Sequence, residues 1–407
     1  MDVVKARRAH LTVTFAGVDI SDSINNYLLS MTYTDNEEGS SDDLQITLQD
    51  REGLWLENWL TDAIEAAASA QLKIKAKISE ENWGRSFGAD SLDCGEFELD
   101  TVEASGPPSQ ITIKAVSLPF SSSLSQTLKS KAWENYSLSG IAKEMASNNG
   151  MTCMYESSRD PQYEREEQTA TSDIVFLYKL CQDAGISLKA TGTQIVLFDQ
   201  IKYESQTPQL TIQRGKKGGY KSYSLSSSSG DRNYTSCRVS WTGPDGKLIE
   251  GIAKTQEFLA DEAKDQLSAE KKARDEAEKE AKKIAEGKTV KEKTAEEQAK
   301  DAAKAAEEAA KKAAEIAAQR LEIHEKVSNA DEAKALAEKR LRYANKLART
   351  AEFTFPGKPG LVAGITVDLK GWGGWDGRYL CYQTQHSVDG SGGYETSVSL
   401  RRVLEGY

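Results

Sequence analysis

The feature that most constrains the fold is an unbroken run at residues 253–350, which contains no proline and a single glycine, Gly287. Alanine, lysine and glutamate dominate this run, and they are among the strongest helix formers. The flanking segments, 220–252 and 353–404, have instead the alternation and turn residues of short strands. We therefore predict that 253–350 is a helical insertion in a β-domain that begins before it and closes after it.

Small and apolar residues recur through this run at alternating steps of four and three, which is a heptad pattern. A second seam of this kind, at 269–284, leads up to Gly287, which suits the left-handed position just past a helix end. The pattern predicts an antiparallel, alanine-rich coiled-coil hairpin; a solvated low-complexity helix or a partly disordered linker is the alternative. The main helical seam is predicted at Ala295, Ala299, Ala302, Ala306, Ala309, Ala313 and Ile316, continuing past Arg320 to Ile323 and Val327.

A third helix is predicted after Val327. Asn329 is a suitable N-cap, and Glu332 follows three residues later, as in a capping box. One face of this helix carries apolar residues at helical spacing, namely Ala333, Ala337, Leu341, Ala344 and Ala348.

The net charge of the 407-residue chain is −11. Residues 251–350 carry 23 Lys and Arg against 22 Asp and Glu, so the acidic excess lies entirely outside the helical run. An acidic globular part argues against specific nucleic-acid binding and against docking on an anionic membrane. It would suit a surface past which DNA slides, although solubility alone also explains it.

Five widely spaced cysteines, without a C-x-x-C pair, predict reduced and mostly buried thiols in a reducing compartment. The start of the chain has no apolar stretch typical of a secretion signal, and no run is as long as the ~18 apolar residues of a membrane helix. We therefore expect neither secretion by such a signal nor membrane anchoring.

Short strands separated by turns are predicted over the first 125 residues, at 11–15, 28–34, 43–48, 71–78, 94–102 and 110–116, with one amphipathic helix at 54–67. Between 133 and 198 the pattern predicts one helix before Gly150, a second helix at 174–184, and strands at 151–155, 186–190 and 194–198, of which the last two pair across Thr191 to Thr193. Further strands are predicted near the end, at 361–369, 377–386 and 394–402. The predicted fold class is α+β, with two β-barrels flanking a small α+β domain. Its domains are 1–125 (first barrel), 126–207 (α+β), 208–252 plus 351–407 (second barrel) and 253–350 (helical insertion).

No arrangement of residues indicates catalysis, a cofactor or a bound metal. His10, His324 and His386 lack a cysteine partner at zinc spacing, and His324 is expected on the solvent side of a helix. G-x-S-x-G, a P-loop and a strand followed by G-x-G-x-x-G are absent. The carboxylates between Asp35 and Asp43 could bind Ca²⁺, but their spacing fits no EF-hand and a solvated loop explains them better. Exposed Trp and Tyr side chains leave a carbohydrate-binding module conceivable.

The middle and the end of the chain contain a series of short motifs whose order and spacing are distinctive. Their residues are Lys131, Trp133, Tyr136, Leu138, Ile141, Ala142, Asn149, Gly150, Met151, Tyr163, Arg165, Gln168, Ser172, Asp173, Phe176, Leu177, Asp183, Gly185, Ile186, Ile195, Phe198, Asp199, Pro359, Gly360, Leu361, Gly364, Gly377, Tyr379, His386, Gly393, Tyr394 and Thr396. Through these loose motifs the chain resembles the late control D family, the central hub proteins of phage tail baseplates and phage-tail-like bacteriocins. The resemblance covers most of 1–250 and 350–407 and does not extend to the alanine-rich run.

The resemblance implies that both barrels are similar to the tail-tube subunit and that three copies form a ring. Such a homotrimer presents six barrels, so it would join the sixfold tail tube protein to the threefold central spike protein. It would also contact tape measure and wedge or sheath proteins, without enzymatic activity or cofactors. The expected location is the bacterial cytoplasm during assembly and then the baseplate of the virion or tail-like particle.

Two alternative functions stay open at this point. The helix–strand pattern of 131–199 is similar to that of a LysM module, which would make the chain a peptidoglycan-binding module of the tail tip. A cell-wall hydrolase would instead need a pair of carboxylates with perturbed pKa values in a cleft.

Overall fold

The computed structural model describes residues 7–59, 73–83, 91–117, 123–215, 219–228, 234–243, 246–285, 304, 319–391 and 393–404. It is a mixed α/β structure dominated by antiparallel sheet, which agrees with the predicted α+β class. The chain divides into two compact units. Unit 1 is Met1–Ser227 with Arg349–Val403, and unit 2 is Ser228–Ala348 with Leu404–Tyr407.

The first part of unit 1 is a run of strands in which apolar residues alternate with polar ones. In the first strand, Leu11 and Val13 are buried and Thr12 between them is exposed. The six strands predicted here are present. Of the helix predicted at 54–67, the described residues end at 59, and Trp55–Trp59 forms a π-helical turn. The elements are β1 (Arg8–Phe15), β2 (Val18–Asp19), α1 (Ser21–Tyr27), β3 (Leu28–Asn36), β4 (Asp43–Gln49), the π-helical turn (Trp55–Trp59), β5 (Lys73–Glu81), β6 (Ser91–Ser105) and β7 (Gln110–Val116).

The middle of unit 1 is a small α+β domain, which we call the small domain. Its two main helices and the hairpin across Thr191 to Thr193 agree with the sequence prediction. The charged strands Lys129–Ser137 and Gln162–Thr171 were not predicted. They pair as a two-stranded ribbon whose outer face is solvated, so they lack apolar alternation. The elements are α2 (Ser123–Gln126), β8 (Lys129–Ser137), α3 (Leu138–Asn148), β9 (Thr152–Glu156), β10 (Gln162–Thr171), α4 (Asp173–Ala184), β11 (Ser187–Ala190), β12 (Gln194–Phe198) and α5 (Gln200–Glu204).

The rest of the chain completes unit 1 and contains unit 2. Its elements are β13 (Leu210–Gln213), β14 (Ser222–Ser227), β15 (Ser236–Thr242), β16 (Leu248–Lys254), α6 (Gln256–Ala285), β17 (Arg320–His324), α7 (Ala330–Asn345), β18 (Arg349–Pro356), β19 (Thr366–Lys370), a 3₁₀ turn (Gly373–Trp375), β20 (Gly377–Asp389) and β21 (Tyr394–Arg402).

One large sheet runs through unit 1 in the order β14-β18-β21-β20-β3-β4-β7-β6-β5-β1-β2, with β13 and β19 attached at β20. The long strand β20 makes this continuity possible. Its first residues pair with β19, and its last seven pair with β3, in a register that places His386 opposite Tyr33. The strands assigned to two separate barrels therefore belong to one hydrogen-bonded sheet, which covers two apolar clusters.

Unit 2 is a three-stranded sheet, β16-β15-β17, covered by α7. Ala333, Ala337 and Leu341 are fully buried on the predicted face of this helix. As predicted, the Asn329 side chain caps α7 by accepting from the Glu332 N–H. Strands β15 and β16, which the sequence prediction assigned to the second barrel, lie in unit 2 and pair with each other.

The prediction that the helical seam continues through Ile323 is wrong, because Arg320–His324 forms strand β17. This strand pairs in parallel with β15, and Leu321 and Ile323 alternate toward the core under α7. His324 is exposed, as predicted, but on a strand rather than a helix. The tertiary packing of two alternating apolar residues thus overrides local helix propensity.

The predicted main seam, Ala295, Ala299, Ala302, Ala306, Ala309, Ala313 and Ile316, lies outside the described residues. Only the first arm of the predicted hairpin is described, as the 30-residue helix α6.

All five cysteines are free thiols, four of them buried and Cys153 partly buried, as expected for reduced residues. None of the helices in the described part of the chain combines the length and apolar character needed to cross a membrane.

Candidate functional site

An acidic stretch at the end of β3 and in the turn after it is the site of the main polar cluster in unit 1. Asp35, Glu37 and Asp42 are only 6%, 5% and 7% exposed. The interpretation of these three residues as part of a solvated loop is therefore wrong. A buried carboxylate is stable only when it is paired and hydrogen-bonded, so the partners of these groups define the site.

The partner of Glu37 is Arg401 in the last strand, β21, which is 1% exposed. The Arg401 guanidinium donates from Nε and Nη2 to the two carboxylate oxygens of Glu37, at 3.3 and 3.1 Å. Its Nη1 donates to Oε1 of Glu204, at 2.5 Å, and Glu204 ends helix α5 of the small domain. One buried guanidinium thus connects the large sheet to the small domain through a planar, fork-shaped set of bonds.

Asp35 and Asp42 share a second cation, Lys189, which projects from β11 of the small domain. The Lys189 ammonium lies 2.8 Å from Oδ1 of Asp35 and 3.2 Å from Oδ1 of Asp42, and it donates to the Asn36 carbonyl at 2.7 Å. The other oxygen of Asp35 accepts from the Ala363 N–H at 2.8 Å. We call Asp35, Glu37, Asp42, Lys189, Glu204 and Arg401 the ionic cluster.

Burial and charge act in opposite directions on the groups around Lys189. Burial raises the pKa of Asp42, and the positive charge of Lys189 opposes that rise. Burial lowers the pKa of Lys189, but the negative charges of Asp35 and Asp42 outweigh it, so the pKa of Lys189 lies above its ordinary value. Lys189 therefore stays cationic, and Asp42 takes up a proton at a higher pH than an exposed aspartate does.

A second buried polar group, His386, lies on β20 beside the ionic cluster's strands. Its Nε2 donates to the Leu361 carbonyl at 2.9 Å, and its Nδ1 accepts from the Tyr394 hydroxyl at 2.7 Å. Burial lowers the pKa of His386 to about 4, so the ring is neutral at physiological pH. The Tyr33 ring stacks on it at a centroid distance of 6.1 Å. This arrangement makes His386 a structural group that links β20 to Leu361 and Tyr394.

The chemistry of these groups is that of a structural site. Among the described residues, no group of three or more His, Cys, Asp or Glu side chains is placed to hold a metal ion. Of the acidic residues considered for Ca²⁺, Asp35 and Asp42 are instead neutralised by Lys189, and Glu37 is neutralised by Arg401. Both cations lie far away in the sequence. The cluster fixes the small domain, β3 and β21 relative to one another.

Sequence reasoning missed Lys189, Glu204 and Arg401. In β21 the alternation places Arg401 on the same side as Glu395, Ser397 and Ser399, which are exposed or partly exposed. Arg401 is instead buried, and it pairs there with Glu37 and Glu204. A long-range contact of this kind leaves no signal in the local pattern.

Two curated proteins are similar to this chain, and both are named probable baseplate hub protein. The one from Escherichia phage 186 is 26% identical over 181 residues, which cover 44% of this chain and 42% of the relative. The one from Escherichia phage P2 is 28% identical over 202 residues, which cover 48% of each chain. The matched region therefore spans about half the length of these relatives. No family model matches the chain.

The fold is shared with a solved phage tail protein over nearly the whole chain. The 43 kDa tail protein of prophage MuSo2 from Shewanella oneidensis matches with a TM-score of 0.57 and 13% identity, over 97% of this chain and 98% of the other. The relatives carry names of structural tail components rather than of enzymes. The chain is thus similar, over about half its length, to phage proteins named probable baseplate hub protein, and it has the fold of a phage tail protein.

Proposed function

We propose that the chain is a structural, non-enzymatic hub in the baseplate of a phage or phage-tail-like particle. The observation that carries this proposal is the relationship to two proteins named baseplate hub protein. The fold similarity to a tail protein over 97% of the chain supports the same role for the full length of the sequence.

The hub acts as a homotrimer that joins the sixfold tail tube to the threefold central spike. Three copies with two tube-like barrels each would present six similar surfaces to the tube protein, and one threefold axis to the spike. The continuity of the large sheet supports this role, because strand pairing between β20 and β3 holds the two halves of each subunit in one fixed geometry. A ring that seeds tube assembly and carries a spike requires such rigidity.

We expect the insertion, predicted from its sequence as a helical hairpin, to contact wedge or sheath proteins. The described helix α6 supports the first arm of this hairpin, and its Leu267 is 65% exposed. The acidic excess of the remaining chain would give the hub's channel an acidic inner surface. DNA or tape measure protein could pass such a surface without adhering to it.

Multi-angle light scattering of the purified full-length protein, alone and co-expressed with the spike protein of its particle, tests the proposal. A mass of about three times 44.7 kDa, or a stable complex with the spike in a 3:3 ratio, is the expected result. A chain that remains monomeric in both preparations would contradict the hub role.

The same preparation separates the alternative functions. Sedimentation of a monomer with purified cell walls would favour a peptidoglycan-binding module of the tail tip. A loss of turbidity in a cell-wall suspension would favour a hydrolase.

A further inference from the structure

The apolar core of the small domain is self-contained. Its buried cluster, which includes Trp133, Leu177 and Leu197, shares no member with the two clusters of the large sheet among the described residues. Those two sheet clusters, by contrast, both pack against Val362. Apolar packing therefore links the halves of the large sheet to each other, while the small domain keeps its own core.

Several polar contacts join the small domain to the large sheet. The strongest are three ion pairs of the ionic cluster, Lys189 with Asp35 and with Asp42, and Arg401 with Glu204. Weaker ones surround them: the Gln200 side-chain amide donates to Glu38 at 2.9 Å, and the Gly39 N–H points to the Leu188 carbonyl at 3.4 Å.

The aromatic residue at this boundary, Tyr178, is also affected by a charge of the sheet. Burial and then the negative charge of Glu38 raise the pKa of Tyr178 to about 12, and its hydroxyl is hydrogen-bonded by the backbone of Gly39. The Tyr178 ring packs on the core of the small domain, and its hydroxyl is the group that contacts the sheet side.

These specific bonds hold the small domain against the sheet, since the apolar clusters of the two parts are separate. Removing one partner of a buried ion pair leaves the other charge uncompensated, which is strongly destabilising. The loss falls at the boundary, because these ion pairs join side chains of the small domain to side chains of the sheet. Interfaces of this polar kind permit one domain to move relative to another.

We propose that the small domain is a docked module, held against the large sheet by the ionic cluster, that separates from the sheet as an intact folded unit when the cluster is disrupted. This conformational device is independent of the hub role, and it would let the small domain change position while the large sheet remains assembled.

Hydrogen exchange measured by mass spectrometry on the full-length protein tests this proposal. The substitution Lys189→Met should increase exchange in segment 36–42, which faces the small domain, by roughly tenfold to 100-fold, since 1.4 kcal/mol corresponds to tenfold and Lys189 is one-quarter exposed. Strand β12 in the core of the small domain and strand β20 in the large sheet should keep their wild-type protection from exchange.

Lys202→Met is the matched control. It removes one positive charge from α5 of the same domain, but Lys202 is exposed and pairs with Glu156 inside the domain. It should leave exchange in segment 36–42 unchanged. Glu204→Gln is a second, nearly isosteric test, which weakens the bond to Arg401 and should act in the same direction as Lys189→Met.

Loss of protection in segment 36–42 alone, in Lys189→Met or Glu204→Gln, would support the proposal that the small domain is a docked module. Simultaneous loss of protection in segment 36–42, β12 and β20 would overturn it, because the small domain and the sheet would then unfold as one cooperative unit. Unchanged exchange at the boundary in both variants would overturn it as well.

Discussion

Arg401 and Glu37 are 364 positions apart in the sequence, yet two hydrogen bonds join their side chains in the interior of unit 1. The pair links the last strand of the chain to the end of β3. Because Glu204 binds the same guanidinium, three distant segments depend on one buried cation.

Replacing Arg401 by methionine should destabilise the protein by about 3–5 kcal/mol, because Glu37 and Glu204 would remain buried without a cation. Urea unfolding followed by circular dichroism measures this loss. Arg402→Met is the matched control, since Arg402 is only partly buried and should change stability by about 1 kcal/mol or less. Equal effects of the two substitutions would refute the importance of the buried pair.

Acidification should destabilise unit 1 through His386. The pKa of His386 in the folded protein, about 4, lies below its ordinary value of 6.5. Between these values the unfolded chain binds a proton that the folded protein excludes, so the free energy of unfolding falls as the pH falls from 6.5 to 4. The full effect is about 3 kcal/mol, at 1.36 kcal/mol for each pKa unit.

The His386 contribution is measured as the difference between the pH profiles of the wild type and His386→Gln. This variant lacks a group that titrates in the window, and its amide can still donate to the Leu361 carbonyl. Subtraction removes the titration of the carboxylates, including Asp42. Parallel profiles between pH 4 and 6.5 would show that His386 does not titrate as expected.

Adding one methyl group at Gly251 should disrupt unit 2. A Cβ at this position would lie 2.1 Å from the Lys334 nitrogen and 2.4 Å from the Ala333 carbonyl carbon, both backbone atoms of α7. Because the helix must shift to make room, Gly251→Ala should cost at least about 1–3 kcal/mol. Faster hydrogen exchange in α7 is the readout.

Gly374→Ala is the control for this substitution, because an added Cβ there would meet no atom within 4 Å. It should leave both the exchange of α7 and the melting temperature close to wild type. Normal protection of α7 in Gly251→Ala would mean that β16 and the helix do not pack as closely as described.

The N-cap of α7 should be worth about 1 kcal/mol, the usual cost of replacing a capping Asn by Ala. The Asn329 side chain accepts from the Glu332 N–H at 2.8 Å, and the Glu332 carboxylate accepts from the Ser328 N–H at 2.8 Å. Asn329→Ala should increase exchange in the first turn of α7, whereas Asn329→Asp should preserve protection. Equal exchange in the two variants would exclude a capping contribution.

Local pattern was sufficient wherever a segment buries one face against its immediate neighbours. Strand β12 at Gln194–Phe198 and strand β21 at Tyr394–Arg402 have the bounds predicted from their alternation. Helix α7 has the predicted cap and buried face. The local sequence was misleading at Arg320–His324, where two alternating apolar residues within a helix-rich run complete a parallel strand pair.

The sequence by itself determined the α+β class, the order of most strands and the resemblance to hub proteins. These features depend on periodicity and on motif order, which are local properties of the chain. Only the tertiary structure decided that the large sheet is continuous through β20 and β3, and that Asp35, Glu37 and Asp42 are buried with Lys189 and Arg401. Both outcomes depend on pairing between segments that are hundreds of residues apart, and the free energy of such pairs comes from burial that no single segment possesses alone.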